Sequence, residues 1–433
     1  MPFFAPSNPA RQLDGNSHIA YAFRVNNPKT SAPLDPAALA QSLAPFGESR
    51  MLPPEAYTSP EVFAWESANF FSGWHCIGRS ADIAAAGMQR ADKVGDTTVL
   101  LVRGEDLVLR AFANVCRHRG HEILPCGGST TARAITCPYH SWSYRLDGDL
   151  FSAAGYQGES NFDVSEFPLR ALCVQEWHGW IFLDPSGSAG PLGMHLAGLE
   201  ERIGQYQPER LVVMASHEYV IEANWKIINE NYQECYHCTS IHPELCQVSP
   251  PESGENWAST LGSWVGGWQD LRDHAMTMSL DGHSDGVPIP NLSPSELRRI
   301  DYIGVFPNLL VSLHPDYLMT HRAIPLSPNR TWVECSWAFP PEAIASPTFD
   351  PAYAVDFWDI TNREDWTACE SVQRGLESGF AKAGPLSPAE DAIYQFVTMV
   401  ARGYLGQPLS PLSTSAPINA ANSDAAQSRK VEH

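Results

Sequence analysis

Four residues on two short loops carry the most specific chemical signal in the chain. Cys116-Arg-His118 is followed, after eighteen residues, by Cys137-Pro-Tyr-His140. Two ligand pairs, each at the end of its own hairpin, can converge on one centre. Zinc accepts a Cys2His2 set, yet here each loop supplies one thiolate and one imidazole. One iron of a [2Fe–2S] cluster can then take both cysteines and the other both histidines. Neutral imidazole lowers the negative charge on its iron, so the potential rises to roughly −150 to +300 mV, against about −400 mV for cysteine-only clusters. Tyr139 and Trp142 are expected to shield the second loop from water.

A second constellation runs from Asn224 to Pro243 and contains Glu230, Glu234, His237 and His242. Asn224 is a good N-cap for a helix starting at Trp225, and the spacing predicts helix over 224–238. Glu230, Glu234 and His237 then share one face at i, i+4 and i+7. His242 lies five residues past His237, about 140° round a regular helix. Pro243 removes the conflict, because the residue before a proline is pushed out of the helical region. Two imidazoles and one carboxylate form the facial triad of non-haem iron(II) oxygenases, with positions left open for dioxygen and substrate. The carboxylate must come from elsewhere. Asp365 is the expected third ligand, ahead of Glu364, Asp359 and Asp356. It shares a helical stripe with Cys369, Val372 and Leu376, where a carboxylate is costly unless a cation neutralises it. Glu364 falls on the polar face with Thr367, Ala368 and Ser371. Cys235 and Cys238 flank His237 and read as helix-packing residues. Cys126 reads as a loop thiol, and Cys76, Cys173, Cys246 and Cys335 as small core residues.

The elements that must position these groups fall into two regions. Short alternating strands at Thr97–Val102, Leu107–Asn114, Ala134–Cys137 and Gly179–Leu183 point to a small antiparallel β domain. Beyond about residue 186, strands such as Trp332–Phe339 mix with helical stretches at 224–238, 353–378 and 389–404. The fold class is therefore α+β. The expected organisation is an N-terminal arm (1–44), a helical lead-in packing on the catalytic domain (45–71), the cluster domain (72–185), the catalytic domain (186–405) and a disordered tail (406–433). A formal charge of −21, from 49 acidic and 28 basic residues, argues against a nucleic-acid partner, which needs clustered cations. No stretch has the apolar length to span a bilayer, and no signal peptide is evident. A cytoplasmic protein is expected, whose cysteines mark metal sites more than disulfides.

With both motifs placed, the chain resembles the α subunits of Rieske oxygenases across residues 45–405. Glu-Cys-Tyr-His-Cys around His237, His242-Pro-Glu-Leu, Met278-Ser-Leu-Asp-Gly282 and Thr361-Asn-Arg-Glu-Asp-Trp resemble the branch acting on glycine betaine, stachydrine and carnitine. The resemblance implies an all-β Rieske [2Fe–2S] domain and a catalytic domain with an antiparallel sheet flanked by helices. It implies a head-to-tail homotrimer in which one subunit's cluster sits against the next subunit's iron, with Glu234 bridging a cluster histidine to an iron histidine. It also implies a mono- or dioxygenase that takes NAD(P)H-derived electrons from a separate ferredoxin or flavin reductase. On this reading Cys116, His118, Cys137 and His140 bind the cluster. His237, His242 and Asp365 bind the mononuclear iron, and no membrane or nucleic acid is involved.

The expected reaction is N-demethylation of a betaine-like quaternary amine. The rivals are hydroxylation of an aromatic ring or acid, and a non-catalytic redox or zinc-binding protein. Val248–Asp270 departs from the branch. Its Trp257, Trp264 and Trp268 either line the pocket as a cage or serve as ordinary packing, and Gly262, Gly266 and Gly267 favour a loop there.

Overall fold

The computed structural model describes residues 31–95, 97–257 and 261–414. The expectations for 1–30 and 415–433 lie outside the described residues.

The first region is built on a seven-stranded antiparallel sheet. Its order is His75–Arg79, Trp180–Asp184, Ala171–Trp177, Leu109–Ala113, Thr97–Arg103, Met88–Val94 and Ser129–Thr131. From Val99 onward the strand Thr97–Arg103 is buried on both faces, which explains the apolar run Val99–Val102. Val99 and Leu101 pack with Ile77 and Ile181. Leu100 and Val102 share a second core with Phe112 of their own sheet, with Trp142, and with Ile135 and Tyr144 from a three-stranded sheet. Cys116 and Cys137 are buried at the edge of that second core.

The other region is a seven-stranded antiparallel sheet in the order Val212–Ile221, Arg330–Phe339, Leu318–Ser327, Leu309–Leu313, Arg299–Val305, Trp264–Asp270 and Glu255–Asn256. One face packs Ile303, Val305 and Val311 against Leu192 and Ile203 and against Trp180 of the first region. The opposite face packs Met319, Tyr317 and Trp337 against the long helix Ala352–Glu377. The helix Asp391–Tyr404 and the lead-in helix Pro60–Asn69 close a third core around Trp225.

Four expectations are corrected. The helix from Asn224 ends at Tyr232, not 238. The Glu234 carboxylate accepts the backbone N–H of His237 at 3.1 Å, a local bond that competes with the helical ladder. Trp264–Asp270 is a strand despite its glycines. A Cβ on Gly266 would lie 2.3 Å from the Tyr302 carbonyl oxygen, and one on Gly267 2.3 Å from the Asn256 side chain, so both permit close approach. Residues 31–44 are not a loose arm, since they hold the helix Pro36–Ser42 with Leu39 in the core. Likewise 406–414 is packed, with Arg402 donating to the Ser410 carbonyl at 2.7 Å.

Candidate metal centres and pocket

The two cluster loops are built alike. The Cys116 N–H donates to the carbonyl of His121 and the Cys137 N–H to that of Trp142, both at 2.9 Å, closing a tight turn over each pair. Gly120 and Ser141 turn the chain with left-handed φ of 73° and 59°. The result brings the His118 and His140 rings to 4.6 Å, with Trp142 stacked on His118 at 4.9 Å. Burial pushes the Cys137 thiol up, helped by a hydrogen bond with Cys116. Trp142 is buried as expected, but Tyr139 is 53% exposed and packs its ring on His140 without sealing the loop. Tyr144, unforeseen from sequence, places its hydroxyl 3.3 Å from the Cys116 sulfur and accepts the Arg117 N–H at 3.0 Å. His118 Nδ1 is buried without a partner. Two adjacent sulfurs facing two adjacent imidazoles, one with an orphaned nitrogen, fit a [2Fe–2S] cluster.

The second centre forms where three elements meet. Asn224 caps its helix as the sequence predicts, its side chain accepting the Lys226 N–H at 3.0 Å. His242 has φ −120° and ψ 71°, outside the helical region, immediately before the helix Pro243–Val248. His237 and His242 therefore face one another with ring centres 5.1 Å apart. Asp365 Oδ1 from the long helix lies 3.3 Å from His237 Nε2 and 2.9 Å from His242 Nε2. The other nitrogens are held from behind: Glu234 takes His237 Nδ1 at 2.6 Å and Glu364 takes His242 Nδ1 at 2.7 Å. Asn231 donates to Asp365 Oδ1 at 3.0 Å.

Glu364 is the functional neighbour that the sequence reading placed on the polar face. Asp359 lies elsewhere, accepting from Tyr219 at 2.7 Å and Arg363 at 2.8 Å. Glu230, expected beside Glu234, instead accepts from Tyr57 at 2.7 Å, and burial pushes its carboxyl up to about 8. The stripe below Asp365 is only partly apolar in effect, because Val372 is exposed.

Electrostatics favour a cation at this centre. Burial would raise the Asp365 carboxyl, but hydrogen bonds from His237 and His242 outweigh it and hold it at about 2. Burial would lower His237, but Asp365 and Glu234 lift it to about 9. Three carboxylates around two imidazoles call for positive charge, which a divalent iron supplies with two nitrogens and one oxygen. Cys238 sulfur also lies within 4.8 Å of the histidine donors. It is bonded to Cys235, a disulfide the sequence reading did not expect, and both cysteines pack in the apolar cluster with Leu245 and Met278 as expected. Of the remaining cysteines, Cys76 and Cys335 are buried, Cys126 is exposed as expected, and Cys173 is exposed against expectation.

A cavity of about 640 Å³ opens beside the pair, lined by Tyr232, Tyr302, His321, Trp358 and Trp366 and reaching a mouth at residues 251–256. Of the three tryptophans in Val248–Asp270, only Trp268 lines it. Trp264 is buried in the core and Trp257 stacks under Arg202 at 3.7 Å. No helix among the described residues is long and apolar enough to cross a membrane.

Comparison with known proteins agrees with both centres. Residues 73–163 match the Rieske [2Fe-2S] domain and residues 208–406 the ring hydroxylating alpha subunit catalytic domain. The chain belongs to the Rieske non-haem iron oxygenases. It is an oxidoreductase α subunit that uses O2 and carries a [2Fe–2S] cluster and a mononuclear iron. Within that class it is similar to the glycine betaine monooxygenase oxygenase subunit of Chromohalobacter salexigens, 28% identical over 95% of this chain and 98% of the relative. The carnitine monooxygenase oxygenase subunit of Acinetobacter baumannii is 30% identical over 74% and 84%. The quaternary ammonium Rieske monooxygenase CntA, a solved structure, superposes with TM-score 0.71 and 27% identity over 87% of this chain and 100% of that one. Naphthalene 1,2-dioxygenase from Rhodococcus superposes with TM-score 0.72 at 20% identity over 86% and 98%, a likeness of fold alone.

Proposed function

We propose that this chain hydroxylates an N-methyl carbon of a small quaternary amine of the betaine type, with Cys116, His118, Cys137 and His140 holding the cluster and His237, His242 and Asp365 holding the iron. The observation that carries the reading is one carboxylate oxygen within 3.3 Å of both histidine Nε2 atoms, opening on a cavity of aromatic faces. Trimethylammonium cannot donate a hydrogen bond, so aromatic faces are its natural partners.

When bound, the two metal groups supply one-electron transfer and dioxygen activation. The protein's own residues orient. Glu234 and Glu364 fix the Nδ1–H tautomers of His237 and His242, so both Nε2 atoms turn toward Asp365. A carboxylate can accept from two imidazoles at once. Glu234 therefore has capacity for a second histidine, that of a neighbouring subunit's cluster in a head-to-tail homotrimer. Electrons come from NAD(P)H through a separate ferredoxin or flavin reductase. The methylated cation, O2, two electrons and two protons give the N-hydroxymethyl cation and water. That product loses a proton and splits into formaldehyde and the demethylated amine.

The test is oxygen uptake by the purified oxygenase with a surrogate reductase, offered betaines, carnitine and choline beside benzoate-like acids. The expected result is amine-dependent uptake with stoichiometric formaldehyde. Ring hydroxylation without formaldehyde would reject the amine and leave both metal centres in place.

A further inference from the structure

A disulfide sits inside the second metal centre. Cys235 directly follows Glu234 and Cys238 directly follows His237, so the bonded pair brackets the imidazole that faces Asp365. The Cys238 N–H donates to the Cys235 carbonyl at 3.1 Å, and the His242 N–H donates to the Cys238 carbonyl at 2.9 Å. The turn that brings the sulfurs together therefore also carries His237, and Cys238 is tied directly to His242. Both cysteines line the cavity.

The inner sulfur is also close to both histidines. Cys238 Sγ and one ring nitrogen each of His237 and His242 all lie within 4.8 Å of one another. Bonds of about 2.0–2.1 Å to nitrogen and about 2.3 Å to sulfur place neighbouring tetrahedral donors about 3.6 Å apart. The sulfur therefore has little more than about 1 Å to close. A disulfide sulfur is neutral and already bonded, hence a poor donor, whereas a thiolate is a strong and soft one. Freed from Cys235, Cys238 adds an anionic donor to two imidazoles and one carboxylate. Such a closed set suits zinc, while the iron of an oxygenase needs positions left open.

We infer that, granted a metal on His237 and His242 as proposed above, the Cys235–Cys238 pair is a redox-controlled ligand of that centre. As the disulfide it leaves the site two imidazoles and one carboxylate. As the dithiol it offers Cys238 as a further donor and turns the site toward zinc. The reductant is a dithiol. One of its thiolates attacks the Cys235 sulfur, which belongs to the less buried residue of the pair: Cys235 is half-buried beside exposed Tyr236, and Cys238 is 4% exposed. The S–S bond breaks and Cys238 leaves as a thiolate, to take a proton or a metal ion. The reductant's second thiolate then displaces Cys235, which takes a proton, and the reductant departs as a disulfide.

Zinc is the probe, added to the full chain with its [2Fe–2S] absorption intact and its mononuclear site emptied by chelation. Samples are prepared oxidised and dithiol-treated, with thiols counted by alkylation and mass spectrometry. Reduced wild type should bind one zinc per chain at least about tenfold more tightly than the oxidised protein. X-ray absorption at the zinc edge should show a sulfur at about 2.3 Å in the reduced form alone. Cys238→Ser should show neither change, and Cys235→Ser should show both without reductant. A shell of nitrogen and oxygen only in reduced wild type overturns the proposal, as does a disulfide that never forms. A sulfur that persists in Cys238→Ser also overturns it, and points to Cys246, whose sulfur lies 3.4 Å from the Cys238 carbonyl oxygen. Equal zinc binding in both forms, without sulfur, overturns the switch and leaves the histidine centre standing. Zinc binding that His242→Ala does not weaken ends both.

Discussion

Glu364 should set the iron affinity from behind His242, and its removal gives a quantitative check on the second centre. Its Oε2 accepts from His242 Nδ1 at 2.7 Å, and the imidazole is buried while the carboxylate is 30% exposed. Glu364→Ala leaves a buried ring N–H without an acceptor and frees the ring to rotate. A charge-assisted hydrogen bond is worth about 1.5–3 kcal/mol, and partial exposure of the acid discounts that toward the lower end. About 1.5 kcal/mol corresponds to roughly a tenfold weaker iron(II) dissociation constant, at the lower end of the 10–100-fold typical of such partners. Glu364→Gln keeps an acceptor oxygen in place and should lose no more than about threefold. Asp365→Ala, which removes a proposed ligand, should abolish stoichiometric iron. The assay is anaerobic iron(II) titration of protein whose [2Fe–2S] absorption is intact, with metal counted by mass spectrometry. Iron affinity within twofold of wild type in Glu364→Ala would refute the role. So would a Gln variant that falls as far as the Ala variant.

Tyr144→Phe removes the hydroxyl 3.3 Å from the Cys116 sulfur. Losing a donor to a cluster sulfur worth about 1 kcal/mol should lower the cluster's potential by about 40 mV, read by redox titration of its EPR signal. Stability should fall on acidification because His75 is buried and His195 is largely enclosed. Burial pushes each down to about 4, against smaller raising effects from the Gly73 and Phe306 carbonyls. Their folded values lie below the ordinary value of about 6.5, so the unfolded chain takes up these protons first. The stabilisation is complete above about pH 6.5 and is lost toward pH 4, at roughly 1.4 kcal/mol per pH unit per histidine. Urea unfolding at pH 7.5 and pH 5 should differ by about 4 kcal/mol, with the slope shallower in His195→Asn.

What was legible in the chain was whatever depends on near neighbours. The cluster loops read correctly because ligand spacing and turn chemistry act within a few residues. The Asn224 cap and the break at Pro243 are likewise local. The position of Asp365 beside the histidines was recoverable because helical periodicity places it on a half-buried face that ordinary packing would not give to a carboxylate. The helix end at Tyr232 was not recoverable by the same means. Just beyond it the Glu234 carboxylate accepts the His237 N–H and holds the His237 ring, and periodicity cannot represent such side-chain bonds. Trp264–Asp270 misled because glycine was read as a loop former. In this strand it answers to the Tyr302 carbonyl and the Asn256 side chain, partners at other positions in the sheet. Tyr57, which holds Glu230 from 173 residues away, leaves no trace in any window.

Glu364 shows why a helical wheel falls short at a metal centre. Adjacent helical residues point about 100° apart, so Glu364 and Asp365 cannot share a face. They need not, because an imidazole has two nitrogens on opposite sides of its ring. His242 offers Nε2 to Asp365 and Nδ1 to Glu364, and one ring spans the angle between neighbouring residues. The arrangement crowds carboxylates around two imidazoles, and the cavity beyond adds more acids and no lysine or arginine among its described lining residues. The missing positive charge must then come from what binds. Iron supplies it at the histidines, and on the proposed reading a cationic substrate supplies it in the cavity. On that reading one excess of negative charge favours both the metal and the molecule brought beside it.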